Sequence, residues 1–133
     1  MERDDEQRLQ ALAECRDRID EVDLKILELL NERTRAVEQI GLIKQQMSMP
    51  IYEPKREEEV YRNIREHNQG PMPSDSVKRV FERIIDEMRQ VQRLRMIQRN
   101  RDRESAAAPA TLTPKTVPRP SGSGGDPGCS HNQ

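Results

Sequence analysis

The feature that most constrains the fold is a run over residues 5–47 that contains no proline and no glycine before Gly41. Within this run, inward-facing positions recur every three or four residues after a first step of seven. These positions are Leu12, Ile19, Val22, Ile26, Leu30, Arg33, Val37, Ile40, Lys44 and Met47. The spacing predicts one long amphipathic helix. About 40 residues of helix span roughly 60 Å, so such a helix needs a packing partner along its whole length.

The composition also favours helices. Of 133 residues, 35% are charged and only 2% are aromatic, with no tryptophan, whereas Arg, Glu, Leu, Ile and Gln are frequent. Sheet proteins need more β-branched and aromatic residues, and the frequent residues here are good helix formers. The fold class is therefore predicted to be all-α, in a single domain. Because only 32% of the residues are hydrophobic, association with a second copy is plausible.

Charge and cysteine usage exclude several functional classes. The net charge is -1, with acidic and basic residues interleaved, which argues against a nucleic-acid or membrane partner recruited by bulk charge. No apolar run resembles a secretory signal or a membrane span. Cys15 and Cys129 lie far apart and suggest neither a disulfide framework nor a metal site. We therefore expect a cytoplasmic protein.

Two shorter helices are predicted after the first. Pro50 and Pro54 interrupt the pattern, and Pro54 suits the first position of a second helix over residues 54–67. Residues 68–73 are rich in turn-forming residues. Ser74 is a suitable N-cap for a third helix.

The C-terminal part of the chain differs in composition. The third helix is expected to fray among the arginines up to Arg103, which gives a helical domain over residues 1–104. Residues 105–133 are rich in Ala, Pro, Thr, Ser and Gly. Such a segment cannot bury a core, so it is predicted to be a disordered tail, and no function is assigned to it.

Three polar residues occupy positions where the helices should be apolar: Arg33 and Lys44 in the first helix and Gln92 in the third. Long side chains of this kind can extend to solvent or fix the register of packed helices. Buried without partners, however, each costs several kcal/mol, and acidic residues are scarce on the same faces. The natural complement is a small anion enclosed between the helices.

The order and spacing of these residues resemble the all-helical, type II chorismate mutases over about residues 9–95. The matching positions are Arg16, Ile19, Asp20, Asp23, Ile26, Leu27, Leu29, Leu30, Arg33, Ile40, Gly41, Lys44, Pro50, Ile51, Tyr52, Pro54, Arg56, Glu57, Arg79, Val80, Phe81, Ile84, Ile85, Asp86, Glu87 and Gln92. No single element of this set is specific, whereas the ordered set is highly specific.

The resemblance implies that the chain converts chorismate to prephenate in phenylalanine and tyrosine biosynthesis, a unimolecular rearrangement that needs no cofactor or metal. It implies that Arg16 and Arg33 bind substrate carboxylates and that Lys44 lies near the ether oxygen and a carboxylate. Gln92 would donate an N–H group to the same ether oxygen, and Glu57 would bind the substrate hydroxyl.

Three further positions complete the implied site. Arg56 would add positive potential, and Glu53 would lie beside the substrate hydroxyl. The family often has Asp at the position of Glu53, so the extra methylene here shifts that contact. A small hydroxyl residue is common in the family at the position of Met88, and a thioether cannot replace that donor. Met88 is therefore expected only to line the pocket, with weaker carboxylate binding.

Geometry adds an expectation about assembly. Arg16 lies 17 residues before Arg33, or roughly 25 Å along a straight helix. Two side chains so far apart on one helix cannot meet the same small ligand. Arg16 is therefore expected to come from a second chain, in agreement with the family's interlocked homodimer with two shared sites.

Two other functions compete with the mutase. An isochorismate-pyruvate lyase shares the fold and several of the cations, but the pair Arg56 and Glu57 favours the mutase because the acidic partner for the hydroxyl is a mutase feature. A non-catalytic helical interaction module, in which the inward charges only set register, is the alternative from another class. Removal of Lys44 distinguishes this module from an enzyme.

Overall fold

The computed structural model describes residues 2–107, which form three helices. They are α1 (Glu2–Gln46), α2 (Pro54–His67) and α3 (Ser74–Ala107). This confirms the all-α prediction, and the bounds of α2 agree with the sequence pattern. The tertiary contacts that position the site lie within Met1–Asn100, one unit of the chain. Among the described helices, none is long and apolar enough to cross a membrane.

The two halves of α1 have different surroundings. Residues 2–29 are exposed along the whole of this stretch, including the large apolar side chains of Ile19 and Ile26, which are 57% and 48% exposed. In the second half, Val37, Gly41 and Lys44 are buried. Packing within the chain therefore covers only the C-terminal half of the 45-residue helix.

Prolines and turn residues set the start of α2 and the connection to α3. Pro54 is in the first turn of α2, and the Glu57 amide donates to the Glu53 carbonyl at 3.1 Å. In the connection, Gly70 adopts a φ of 74°, a conformation that glycine accepts without steric cost. The Asn68 carboxamide oxygen accepts from the Gly70 amide at 3.0 Å. These contacts confirm the predicted turn.

α3 packs parallel to the second half of α1. Arg95 pairs with Glu38 at 3.5 Å, and further along both helices the Arg99 Nε donates to Gln45 Oε1 at 2.6 Å. Gly41 lies between these contacts. A Cβ atom there would lie 3.5 Å from Gln92 Cγ, an ordinary van der Waals contact, so α1 and α3 lie close together at this position.

Both ends of α3 differ from the prediction. The helix begins at Ser74, and the Val77 amide donates to the Pro73 carbonyl at 3.0 Å, so the capping position is one residue earlier than expected. The helix also continues to Ala107, past the predicted boundary at residue 104. Alanine has the highest helix propensity, which explains the extension. The predicted disorder of the tail falls on residues outside the described range from residue 108 onward.

Candidate active site

A cavity of about 390 Å³, partly open to solvent, lies between the second half of α1, the segment before α2, the start of α2 and the middle of α3. Its walls combine apolar side chains with charged and amide groups. They are Arg33, Ala36, Val37, Ile40, Lys44, Ile51, Glu53, Arg56, Glu57, Val60, Ile85, Met88, Arg89 and Gln92. A volume of this size suits a small organic molecule.

Seven of the eight residues predicted from the sequence line this cavity. They are Arg33, Lys44, Glu53, Arg56, Glu57, Met88 and Gln92. The eighth, Arg16, lies on the exposed first half of α1 and is not part of the lining. Its predicted contribution from a second chain therefore stays a prediction.

Lys44 is one of the two buried polar residues in the described part of the chain, at 9% exposure. Its Nζ lies 2.7 Å from Glu53 Oε1 and donates to the Ile51 carbonyl at 2.9 Å. An ammonium carries three N–H donors, so these two contacts leave one donor for a ligand. The Lys44 ammonium, which projects from α1, therefore lies at the cavity wall and also contacts the segment that precedes α2.

Gln92 is the second buried polar residue, at 7% exposure. Its Nε2 lies 3.4 Å from the Val37 carbonyl, a long hydrogen bond across the α1–α3 interface. The carboxamide has a second N–H, which this contact does not use. Gln92 therefore offers a neutral donor at the cavity wall.

Arg33 and Arg56 bring two guanidinium groups to the same cavity. The pKa of Arg33 is lowered from its ordinary value, first by burial and second by the positive charge of Arg56. Within residues 2–107, no carboxylate forms an ion pair with Arg33, whereas Arg56 pairs with the exposed Glu59 at 3.2 Å. An anion bound between the two guanidinium groups relieves their repulsion.

Arg89 was not among the residues predicted from the sequence. Its Nε lies 3.3 Å from Glu57 Oε1, and its guanidinium carbon lies 5.4 Å from the ring centre of Tyr52. The signal was present, because Ile85, Met88, Arg89 and Gln92 follow the i, i+3, i+4, i+7 pattern of one helix face. The reasoning that identified Arg33 as a charge on an inward face applies equally to Arg89.

Met88 is buried at the cavity wall, at 8% exposure. The Thr34 hydroxyl contacts its sulfur at 3.4 Å, but the same hydroxyl donates to the Leu30 carbonyl at 2.7 Å. The shorter contact takes the single hydroxyl proton. Met88 thus gives the wall an apolar surface without a hydrogen-bond donor.

The charges of the lining are unequal. Four cationic side chains, Arg33, Lys44, Arg56 and Arg89, face two carboxylates, those of Glu53 and Glu57. Among the lining residues, cations therefore outnumber carboxylates by two, while Arg56 and Arg89 also pair with Glu59 and Asp86 outside the lining. In a partly desolvated space, this excess favours a small ligand that carries two negative charges.

Comparison with known proteins gives a consistent result. A model of the family described as chorismate mutase type II matches residues 15–93. The bifunctional chorismate mutase/prephenate dehydratase of Neisseria gonorrhoeae is 41% identical over 78 residues, which cover 59% of this chain and 21% of that protein. The chorismate mutase of Methanocaldococcus jannaschii is 44% identical over 64 residues, which cover 45% of this chain and 65% of that protein.

Solved structures give the same result. A structure of chorismate mutase (form II) from Thermus thermophilus superposes with a TM-score of 0.59 and 36% identity. The match covers 65% of this chain and 94% of that one. The chain spans about a fifth of the length of the bifunctional relatives. It matches nearly the full length of the Thermus enzyme.

Proposed function

The chain belongs to the chorismate mutase type II family, and on this basis we propose that it is an isomerase that converts chorismate to prephenate in phenylalanine and tyrosine biosynthesis. The observation that carries the proposal is the charge of the cavity, in which four cations face two carboxylates. Chorismate is a dianion, so its two carboxylates complement this excess.

The reaction is an intramolecular rearrangement in which an ether C–O bond breaks while a C–C bond forms. It requires no nucleophile, and its barrier falls when the substrate is held in its compact conformer and negative charge on the ether oxygen is stabilised. Both requirements are met by fixed donors in a partly desolvated cavity. In this proposal the protein's own side chains supply the whole of the catalysis.

Two residues act at the ether oxygen in this proposal. Lys44 donates its remaining N–H to the ether oxygen and approaches a carboxylate. Its burial and its two existing contacts, to Glu53 and the Ile51 carbonyl, support this role because they fix the ammonium before substrate binds. Gln92 donates its free N–H to the same oxygen, and its position 3.4 Å from the Val37 carbonyl supports that orientation.

The remaining contacts bind the ends of the substrate. Arg33 pairs with a carboxylate, supported by its partial burial and its lack of an ion-pair partner within residues 2–107. Arg56 adds positive potential at the same wall. Glu57 accepts from the substrate hydroxyl, with Glu53 beside it at the start of α2.

We further propose that the enzyme is a homodimer in which Arg16 of one chain completes the site of the other. Arg16 lies roughly 25 Å along α1 from Arg33, beyond the reach of one small ligand. The exposed apolar residues of the same half-helix, among them Ile19 and Ile26, support a second chain packed there.

We also propose that the protein acts in the cytoplasm. Cys15 is an exposed free thiol. Exposed unpaired thiols are typical of reducing compartments.

The test is a turnover assay with two substrates. Purified protein is incubated with chorismate, and chorismate loss is followed by absorbance while prephenate is identified as the product. Isochorismate is assayed in parallel for release of pyruvate. Prephenate formation supports the mutase, and pyruvate release without prephenate identifies the lyase instead. If the protein turns over neither substrate, the remaining candidate is the non-catalytic helical interaction module.

A further inference from the structure

One charged residue of the cavity has no part in the proposed function. Arg89, on α3, lines the cavity beside Glu57, which is the proposed acceptor for the substrate hydroxyl. Its side chain is 26% exposed and that of Glu57 is 19% exposed. Both side chains are therefore partly buried, and both line the cavity.

Arg89 is held at three points. Its Nε lies 3.3 Å from Glu57 Oε1 on α2, its Nη2 pairs with Asp86 one turn earlier on α3, and its guanidinium stacks over Tyr52 in the segment before α2. The Nε is fully buried and makes no hydrogen bond, so its 3.3 Å contact with Glu57 Oε1 is an ion pair without hydrogen-bond geometry. A planar guanidinium suits this arrangement because it presents donors in several directions and a flat face to an aromatic ring.

The contact leaves half of the Glu57 carboxylate available. Oε1 faces Arg89, whereas within residues 2–107 Oε2 has neither an ion pair nor a side-chain hydrogen bond. A glutamate side chain in the first turn of a helix otherwise samples several rotamers, and ordering it at the moment of binding opposes affinity. Because the contact with Arg89 already orders the Glu57 side chain in the free protein, most of this entropy cost does not arise when the substrate binds.

We propose that Arg89 is a positioning residue, which holds Oε1 of Glu57 so that Oε2 is presented to the substrate hydroxyl. The inference rests on the proposed function, because it assigns to Arg89 an effect on the same reaction. Arg89 acts through Glu57 and does not need to contact the substrate.

A double-mutant cycle tests this inference. The variants are Arg89→Met, Glu57→Ala and the double variant, compared by kcat/KM for chorismate and by melting temperature. Arg83→Met is the matched control, because Arg83 lies on α3 with an exposed side chain paired to Glu87. We expect R89M to lower kcat/KM about tenfold in the wild-type background and less than twofold in the E57A background. The kcat/KM of the R83M control is expected to equal that of the wild type.

Arg89→Lys provides the conservative variant. Lysine retains the charge but cannot contact Glu57 and Asp86 together, so we expect R89K to recover part of the activity lost in R89M. If R89M does not fold, the cycle is run with R89K. We expect the loss of kcat/KM in R89K to disappear in the E57A background as well.

The outcomes separate this inference from the proposed function. A wild-type protein without turnover overturns both. A wild-type enzyme that is active, combined with an equal effect of R89M in both backgrounds, overturns only the role of Arg89 and indicates an effect independent of Glu57. An R89M variant as active as the wild type overturns it as well.

Discussion

The Lys44 ammonium lies 2.7 Å from the carboxylate of Glu53, so a buried residue of the longest helix is joined to the capping residue of α2. The two side chains differ in exposure, 11% for Lys44 and 36% for Glu53. The carboxylate can therefore be hydrated when the lysine is absent, whereas the lysine depends on its partners. Because of this difference in exposure, Lys44 is a better residue than Glu53 for a test by mutation.

Replacement of Lys44 by alanine is expected to separate catalysis from folding. Loss of a preorganised charge at the ether oxygen lowers kcat/KM by about 10²–10³-fold. The fold is expected to survive, because Glu53 is hydrated once its partner is gone. The measurements are chorismate turnover and thermal unfolding. Lys55→Ala, an exposed lysine outside the cavity, is the control and retains wild-type activity.

An opposite result for Lys44 has a clear meaning. If K44A changes the melting temperature or the oligomeric state strongly and the wild-type chain turns over no chorismate, Lys44 serves only helix register. The enzymatic proposal then fails, and the helical module is the better description.

Activity is expected to be nearly constant from pH 5 to 8. Gln92 is neutral throughout, and although burial and Arg56 lower the pKa of Arg33, a guanidinium loses its charge as pH rises, so acidification from pH 8 to 5 leaves it charged. Gln92→Glu changes this profile, because a glutamate donates to the ether oxygen only when protonated. We expect Q92E to lose activity as pH rises, measured as kcat/KM across the range. A steep profile in the wild type counts against Gln92 as the donor.

Periodicity predicts the helices and the inward polar residues Arg33, Lys44 and Gln92, whereas the other site residues were implied only by the resemblance to the family. Lys44 and Gln92 were identified as polar residues on apolar faces, and they are the two buried polar residues within the described range. Arg89 occupies the same face as Gln92 but lies in an arginine-rich stretch, where a charge is easily assigned to the solvated side. Its role depends on contacts with Glu57 and Tyr52, which come from other elements and leave no local pattern.

The position of Met88 is expected to limit substrate affinity. A serine there restores a hydroxyl donor for a substrate carboxylate, and a hydrogen bond to a charged group is worth enough to lower KM roughly tenfold. Loss of the buried methionine costs about 2–5 kcal/mol of stability. Met88→Ala is the matched control, because it creates a similar cavity without the donor. If M88S and M88A have the same KM, the hydroxyl makes no contact with substrate.

Gly41 is expected to tolerate alanine but no larger residue. A Cβ at this position would lie 3.5 Å from Gln92 Cγ and 3.6 Å from Arg99 Nη2, both ordinary contacts. Alanine raises helix stability by up to about 1 kcal/mol relative to glycine, so Gly41→Ala should unfold at a higher temperature with unchanged turnover. Gly41→Val adds methyl groups against Gln92 and is expected to lower both the unfolding temperature and the turnover. A stability loss in G41A contradicts this account.

The proposed sharing of Arg16 predicts complementation between inactive variants. Arg16→Ala and Lys44→Ala each disable both sites of a homodimer. A mixed dimer, however, combines both defects in one site and leaves the other site intact, with Arg16 from one chain and Lys44 from its partner. Random pairing makes half of the dimers mixed, so the mixture should recover about a quarter of wild-type activity.

The two variants are co-expressed, and the activity per site is compared with that of each variant alone. The control is a mixture of K44A with Gln92→Ala, two residues proposed to belong to the same site of one chain. In a mixed dimer of that pair each site still has one defect, so no activity returns. If R16A with K44A also recovers nothing while mixed dimers are present, Arg16 does not complete the partner's site, and the distance along α1 needs another explanation.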